Sequence, residues 1–427
     1  MYKILTAGLA ALLLSTAANV HGQERDAITR DMDALAADPA IQALLEYIEG
    51  MTPGLRTELI ELNEIPAPPF GEEQRGLRFA AMLREAGLSD VTVDEVGNVI
   101  GRRPGRSGER VVAYTAHLDT VFPAGTDVTV RVEGNTLHAP GIGDNTRGLV
   151  VLLAVLRALE HGDITTDADI LFVGNVGEEG LGDLRGVKHL FRDGGPQIDA
   201  MVAVDGGRTT RLVWGGVGSH RYRITFRGPG GHSWGAFGRA SPHHALGRAI
   251  AQFVRNAPAI TESGEKTSFN VGRIGGGTSV NSIAFESWME VDLRSGDQGR
   301  LDAIDAVLQD AIRSALEEEN LARIAGDALT VSVERIGTRP AARGSTDSPL
   351  VRRASAAMRQ LGLEPDLRLS STDANHPLSI GVPAITLSRG GVSRNAHAPN
   401  ESWQDVDSHI AVQVSLLTLL AEAGLNR

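Results

Sequence analysis

The chain has 427 residues, 42% of them hydrophobic, with 53 acidic against 41 basic side chains, a formal net charge of −12 and no cysteine. That length and apolar share suffice for a sizeable core and two domains, and the acidic balance argues against a general nucleic-acid binder. Without cysteine neither a disulfide nor a thiolate metal site can form, so any bound metal must rest on histidine and carboxylate side chains.

Residues 1–22 read as a secretory signal. Lys3 is its lone basic residue, Ala7–Leu14 its apolar centre, and small residues follow from Ser15 to Ala18 and at Gly22. The apolar run is too short to span a bilayer comfortably. Lacking cysteine, the segment is no lipoprotein signal. The mature protein is therefore expected to be exported, periplasmic or secreted, with no further membrane segment.

Helical spacing of apolar residues covers Asp26–Glu49, broken at Asp38-Pro39, and continues in Thr52–Leu62 and Gln74–Ala86. Val91–Val93 and Val99–Gly101 flank Gly97-Asn98 as a hairpin. Apolar runs then alternate with the helices Leu149–Glu160 and Leu184–Arg192 as far as Asp205, which calls for a mostly parallel, helix-flanked α/β sheet. From Trp214 the texture changes. His220–Arg227 sets Tyr222, Ile224 and Phe226 against Arg221, Arg223, Thr225 and Arg227, the alternation of a strand with one polar face. Further strands are expected at Phe269–Ile274, Ser282–Arg294 and Leu329–Ile336, with helices at Pro242–Asn256 and Gly299–Asn320. Together these form a small α+β domain inserted at 215–335, between a first catalytic part (23–214) and a second (336–427). The second part holds the helix Pro349–Leu361, the strand Ala384–Leu387 and the helix His409–Ala423.

Several apolar runs end in His, Asp or Glu. In a parallel sheet such residues gather outside the carboxyl ends of the strands. Val111–Thr115 leads to His117 and Asp119, Ile170–Val176 to Glu178 and Glu179, and Ala200–Val204 to Asp205, while Asp144 lies in a glycine-flanked turn before a helix. With His397 downstream, the set suits two divalent cations sharing a carboxylate. His117 and Asp119, two apart, share a strand face, so the Asp119 carboxylate is placed to hold the imidazole's other nitrogen. Each residue also has a plainer reading: Asp144 as a helix cap, Asp205 as a turn former, the two glutamates as a solvated pair. Glu178 and Glu179, being adjacent, point in different directions, so one can bind metal while the other acts on a water. Arg294 leaves the core face of its strand and could hold a substrate carboxylate bidentately.

The order His117-x-Asp119, Asp144, Glu178-Glu179, Asp205, His397 resembles the M20 metallopeptidases, a group that includes glutamate carboxypeptidase, peptidase T, succinyl-diaminopimelate desuccinylase and carnosinase-like dipeptidases. The resemblance covers nearly the whole mature chain. It implies two zinc ions (cobalt or manganese being possible), with His117 and Asp205 on one, Glu179 and His397 on the other, and Asp144 bridging. It makes Asp119 the support of His117 and Glu178 the general base. It also implies that the inserted domain is a lid and homodimer interface, where His232 reaches a neighbouring subunit's active site and Asn281 and Arg294 hold the substrate's carboxylate end. Asn145-Thr146-Arg147-Gly148 departs from the family's usual Asp-Lys-Gly-Gly, as does the stretch after His232. The expected activity is hydrolysis of a small peptide or, equally compatible with these residues, of an N-acyl amino acid.

Two rivals remain in view. Gly231-His232-Ser233-Trp234-Gly235 matches a serine nucleophile elbow, and Ser233, Asp373 and His397 fall in the matching order, yet Gly228-Pro229-Gly230-Gly231 breaks the strand such an elbow needs. A non-catalytic peptide-binding protein on the same fold would need broken metal or base positions, and none is visible.

Overall fold

A computed structural model describes residues 27–425; the signal expected at residues 1–22 lies outside them. The core is a nine-stranded mixed sheet. Its path runs Asp90–Val93, Val99–Arg103, Asp169–Asn175, Val111–His117, Ala200–Val204, Ala384–Leu387, Arg211–Gly216 and Ala342–Arg343, with Asp366–Ser370 also paired to Arg211–Gly216. The four strands at its centre, 169–175, 111–117, 200–204 and 384–387, are mutually parallel. The hairpin at one end and Arg211–Gly216 beside Ala384–Leu387 are antiparallel.

Successive residues of the central strands go to opposite faces, as the two-residue period requires. Val112, Tyr114, Ile170, Phe172 and Val202 enter the larger cluster, packed under the helices Gly148–His161 and Ser408–Ala423. Ala113, Leu171, Val173, Met201 and Ala203 enter a smaller one with Val187 and Leu190 of the helix Arg185–Leu190. Both faces being covered, these strands read as continuous apolar runs. The helix Gly148–His161 is buried almost all round, so its sequence has no polar stripe. No helix among the described residues is long and apolar enough to cross a membrane.

A second, antiparallel sheet takes the order Thr267–Gly276, Glu286–Ser295, Gly218–Arg227, Thr330–Arg339, backed by the helices Pro242–Asn256 and Gln298–Leu321. Tyr222, Ile224 and Phe226 are buried among Met289, Val291 and Leu293. The last strand runs past residue 335 to Arg339, whose backbone pairs with Ser219. The single strand expected at Ser282–Arg294 is two strands. Ser282–Ile283 pairs with Gly231–His232, and Glu286–Ser295 joins the sheet, because Phe285 turns its carbonyl to the Gly228 amide. A third, small sheet of Arg131–Glu133, Thr136–His138, Ser402–Gln404 and Val392–Arg394 has strands of three residues each, too short to show any periodicity in sequence.

Candidate metal centre

Because the four central strands are parallel, the residues that end them share one edge. His117 closes Val111–His117, Asp205 follows Ala200–Val204, the turn 176–179 follows Asp169–Asn175, and Ser388-Arg389 follows Ala384–Leu387. His397 arrives from the small third sheet, two residues beyond Val392–Arg394 and Asn395. Ligand-type atoms of His117, Asp144 and Asp205 lie within 4.8 Å of one another, and so do those of Asp144, Glu179 and His397. His117, Glu178 and Glu179 form a third such group. The five side chains singled out by sequence are thus neighbours, and Asp144 belongs to two of the groups.

Asp144 presents its oxygens in two directions: Oδ1 lies 3.4 Å from His117 Nε2 and Oδ2 lies 3.3 Å from His397 Nε2. His117 is buried, and its Nε2 has no hydrogen-bond partner. A buried nitrogen left without a partner beside carboxylates is what a cation's ligand set requires, so nitrogen and oxygen donors here fit two divalent ions. Burial works against a charge on His117, yet Asp119 and Asp144 lift its pKa well above the usual range. Hydrogen bonds to Asp144 and Glu179 push His397 up to about 10. Burial likewise opposes the Asp144 charge, but Arg389 and the two histidines hold its pKa well below that of a free carboxylate.

Asp119 stands beside His117, though not by the expected contact. The Asp119 backbone oxygen is 3.0 Å from His117 Nδ1, whereas its carboxylate Oδ1 is 3.6 Å away. The carboxylate instead accepts the backbone N–H groups of Glu178 at 3.0 Å and Glu179 at 2.7 Å. The turn that carries the two glutamates aims its amides at Asp119, and those bonds fix the turn. From there the glutamates diverge. Glu179 Oε1 lies 2.9 Å from His397 Nε2, and Glu178 Oε1 accepts from Arg339 Nη1 at 2.7 Å. Burial pushes the Glu178 pKa well up; Arg339 pulls the other way, and Glu179 adds to the rise.

Besides Arg339, three buried groups here were not singled out by the sequence. Glu401 accepts the amides of Gly141, Gly143 and Asp144, each at 3.0 Å, and so builds the turn that carries Asp144. Asn145 ties the same turn to the strand before Asp205 by donating Nδ2 to the Val204 oxygen at 2.8 Å. Arg389 donates to Asp144 and Asp205 at 2.9 and 3.1 Å. Glu401 lies four residues after His397, a spacing visible in the sequence without any hint of what it would hold. Glu401→Ala is expected to leave the three amides unmet and cost about 3 kcal/mol or more of folding stability, measured as a lower urea midpoint at unchanged m-value. An unaltered midpoint would show that water replaces the carboxylate.

The cleft over this edge encloses about 500 Å³ and includes Asp144, Glu178, Glu179, Asp205 and His397. The lining is also rich in arginine: Arg221 and Arg294 come from the second sheet, and Arg211 from the central one. Arg294 spends its Nε on Asp292 at 2.7 Å. His232 and Asn281 are not part of this lining; both are exposed at the two-stranded ribbon in which Gly231–His232 pairs with Ser282–Ile283. Ser233 is exposed beside the same ribbon, its amide bonded to the Asn281 oxygen, while His397 is engaged by Glu179 and Asp144, and Asp373 is buried and accepts from Asn175 at 2.9 Å. Burial raises Asp373 to about 6.

The profile of peptidase family M20/M25/M40 matches residues 113–423. Uncharacterized protein YqjE of Bacillus subtilis (strain 168) is 24% identical over 349 residues, 80% of this chain and 89% of that protein. Among solved structures, a tripeptidase of Staphylococcus aureus superposes with a TM-score of 0.70 at 23% identity, covering 86% of this chain and 98% of the other. A hydantoinase/carbamoylase-family amidase of Burkholderia vietnamiensis superposes with 0.64 at 20% identity, covering 86% and 96%. Such likenesses show the shared fold, and the profile spans most of the chain including every strand of the central edge: the protein belongs to peptidase family M20/M25/M40 and is a hydrolase of the M20 type.

Proposed function

We propose that the protein is an exported two-metal hydrolase that cleaves the peptide or amide bond of small substrates carrying a free carboxylate. The observation that carries the reading is the pair of donor groups sharing Asp144, with Glu178 beside them at the same edge. His117, Asp144 and Asp205 would hold one divalent ion and Asp144, Glu179 and His397 the other, most readily zinc. Two such ions, when bound, polarise the scissile carbonyl and lower the pKa of a water held between them.

The chain's own residues do the rest. Glu178, buried and raised in pKa, takes the proton of that water and delivers it to the leaving amine. Asp119 fixes the Glu178-Glu179 turn. Arg294 and Arg211, both in the cleft lining, receive the substrate carboxylate. The inserted domain, 215–335, serves as lid and dimer interface. Trp234, Phe237 and Val280, all more than 80% exposed around His232 and Asn281, support a second copy covering this ribbon and carrying His232 to its partner's cleft. Amidase action on N-acyl amino acids is kept open by the amidase that shares this fold. The export reading rests on the composition of residues 1–22.

Dialysis against a chelator should abolish hydrolysis of di- and tripeptides, and zinc or cobalt should restore it. Inactivation by a serine-directed phosphonate with retention of activity in chelator would overturn the reading in favour of Ser233. A further expectation concerns pH. Arg339 opposes the rise in the Glu178 pKa, so Arg339→Gln removes that opposition and should move the acidic limb of kcat/KM upward by about 1 unit or more. A limb that stays put would separate Glu178 from the titration.

A further inference from the structure

One buried charge is left over by the two-cation reading. Arg389 is 3% exposed. Its Nη1 donates to Asp144 Oδ1 at 2.9 Å and to Asp205 Oδ1 at 3.1 Å. Guanidinium does not give up its proton in proteins, so this is a permanent positive charge bonded to both carboxylates of the His117–Asp144–Asp205 group. The second group meets that charge through the shared Asp144 alone: its own carboxylate, Glu179, bonds His397, while Arg339 bonds Glu178 and acts on Glu179 only through space. The two groups share Asp144 and each adds one histidine and one further carboxylate, so a guanidinium bonded to both carboxylates is what sets the first apart.

Arg389 is also held in place. It leaves the carboxyl end of the strand Ala384–Leu387 after one residue, and its chain neighbours are fastened: Ser388 Oγ donates to the Gly207 oxygen at 2.9 Å, and Gly390 accepts from Trp403 Nε1 at 2.9 Å. Glu401, which builds the Asp144 turn, adds a further negative charge near the guanidinium. The guanidinium thus borders the cleft from a fastened backbone, and a cation entering beside Asp144 and Asp205 must share their charge with it.

Resting on the two-cation reading, we infer that the centre is unequal by construction: Arg389 is a resident cation that weakens the His117–Asp144–Asp205 site, whose ion exchanges, while the Asp144–Glu179–His397 site keeps its ion. Arg389 is in this sense a positioning residue. It acts through the two carboxylates and needs no contact with substrate.

The test is metal binding by the stripped protein, followed by calorimetry with zinc, by visible absorption with cobalt, and by metal content after gel filtration. The wild-type chain should bind in two steps whose affinities differ by about tenfold to a hundredfold, and should retain close to one ion through the column. Arg389→Gln should bring the steps together and retain two ions. Arg389→Lys, which keeps the charge, should preserve the separation. Two variants decide the matter even where Arg389→Gln folds poorly. Asp205→Asn should remove the weak step alone, and Glu179→Gln the tight step alone. Two equal tight sites in the wild type, or loss of the weak step in Glu179→Gln with the tight one intact, would overturn the inference while leaving the two-cation reading standing. No binding of zinc or cobalt by the wild type would remove both.

Discussion

Glu178→Gln should bind metal as the wild type does and lose between about 10² and 10⁴ of its turnover, the range general-base catalysis contributes. The substitution is nearly isosteric. The amide oxygen can still accept from Arg339, as Glu178 Oε1 does at 2.7 Å, and the backbone amide of residue 178 still reaches the Asp119 carboxylate. What disappears is a basic oxygen next to the place where a water would be held. Burial has already raised that oxygen's pKa, and a carboxylate of higher pKa takes a proton more readily. Three readings check this: kcat on a dipeptide, zinc and cobalt content, and the pH profile, whose acidic limb should flatten with the titrating group gone. Equal turnover in the variant would assign proton transfer to another group. The buried Asp373, raised to about 6 and engaged by Asn175, would be the next to examine. A variant that loses metal instead would place Glu178 among the ligands, alongside His117 and Glu179 in the third donor group.

The parts of this molecule legible in the sequence are those where one local rule suffices. The central strands announce themselves because both faces are covered, which makes each an unbroken apolar run, and a parallel arrangement then dictates that His117, Glu178, Glu179 and Asp205 meet at one edge. The helix Pro242–Asn256 and the strand Ala384–Leu387 keep the bounds that periodicity assigned them. What was hidden depends on pairing at a distance. Glu401 looks like a surface acid after Asn400, yet it is fully buried and holds three amides some 260 positions earlier. Arg389 and Arg339 read as two of many arginines, and only the fold reveals that each is buried against an acid of the centre. Asp119 was read for its side chain, whereas its backbone oxygen faces His117 and its carboxylate serves the glutamate turn. Strand propensity could not split Ser282–Arg294 either, because the break is made by Gly231–His232 competing for the first two residues. His232 and Asn281 illustrate a different limit. Their two-stranded ribbon stands apart from the cleft lining of its own chain, so a role for them depends on a second copy.

Asp144→Asn should cost the centre more than loss of any other single ligand. Each of the other four belongs to one of the two proposed sites, whereas Asp144 turns one oxygen to His117 and the other to His397. An asparagine keeps one acceptor oxygen and replaces the second with an N–H₂ donor that repels a cation, so one site loses its ligand outright and the other keeps only a neutral one. The negative charge that His117, His397 and Arg389 gather around is lost as well, leaving Asp205 as the one carboxylate bonded to Arg389. The expected result is at most one ion retained after gel filtration and a fall in kcat of roughly 10³-fold. The turn itself should persist, because Glu401 holds it through backbone amides and Asn145 through the Val204 oxygen, neither of which involves the Asp144 side chain. Circular dichroism should therefore stay near wild type while metal content falls, a combination that separates lost coordination from lost folding. Retention of two ions by a folded Asp144→Asn protein would show that the two sites do not share this carboxylate, and the adjacent His117 and His397 groups would then have to be treated as independent centres.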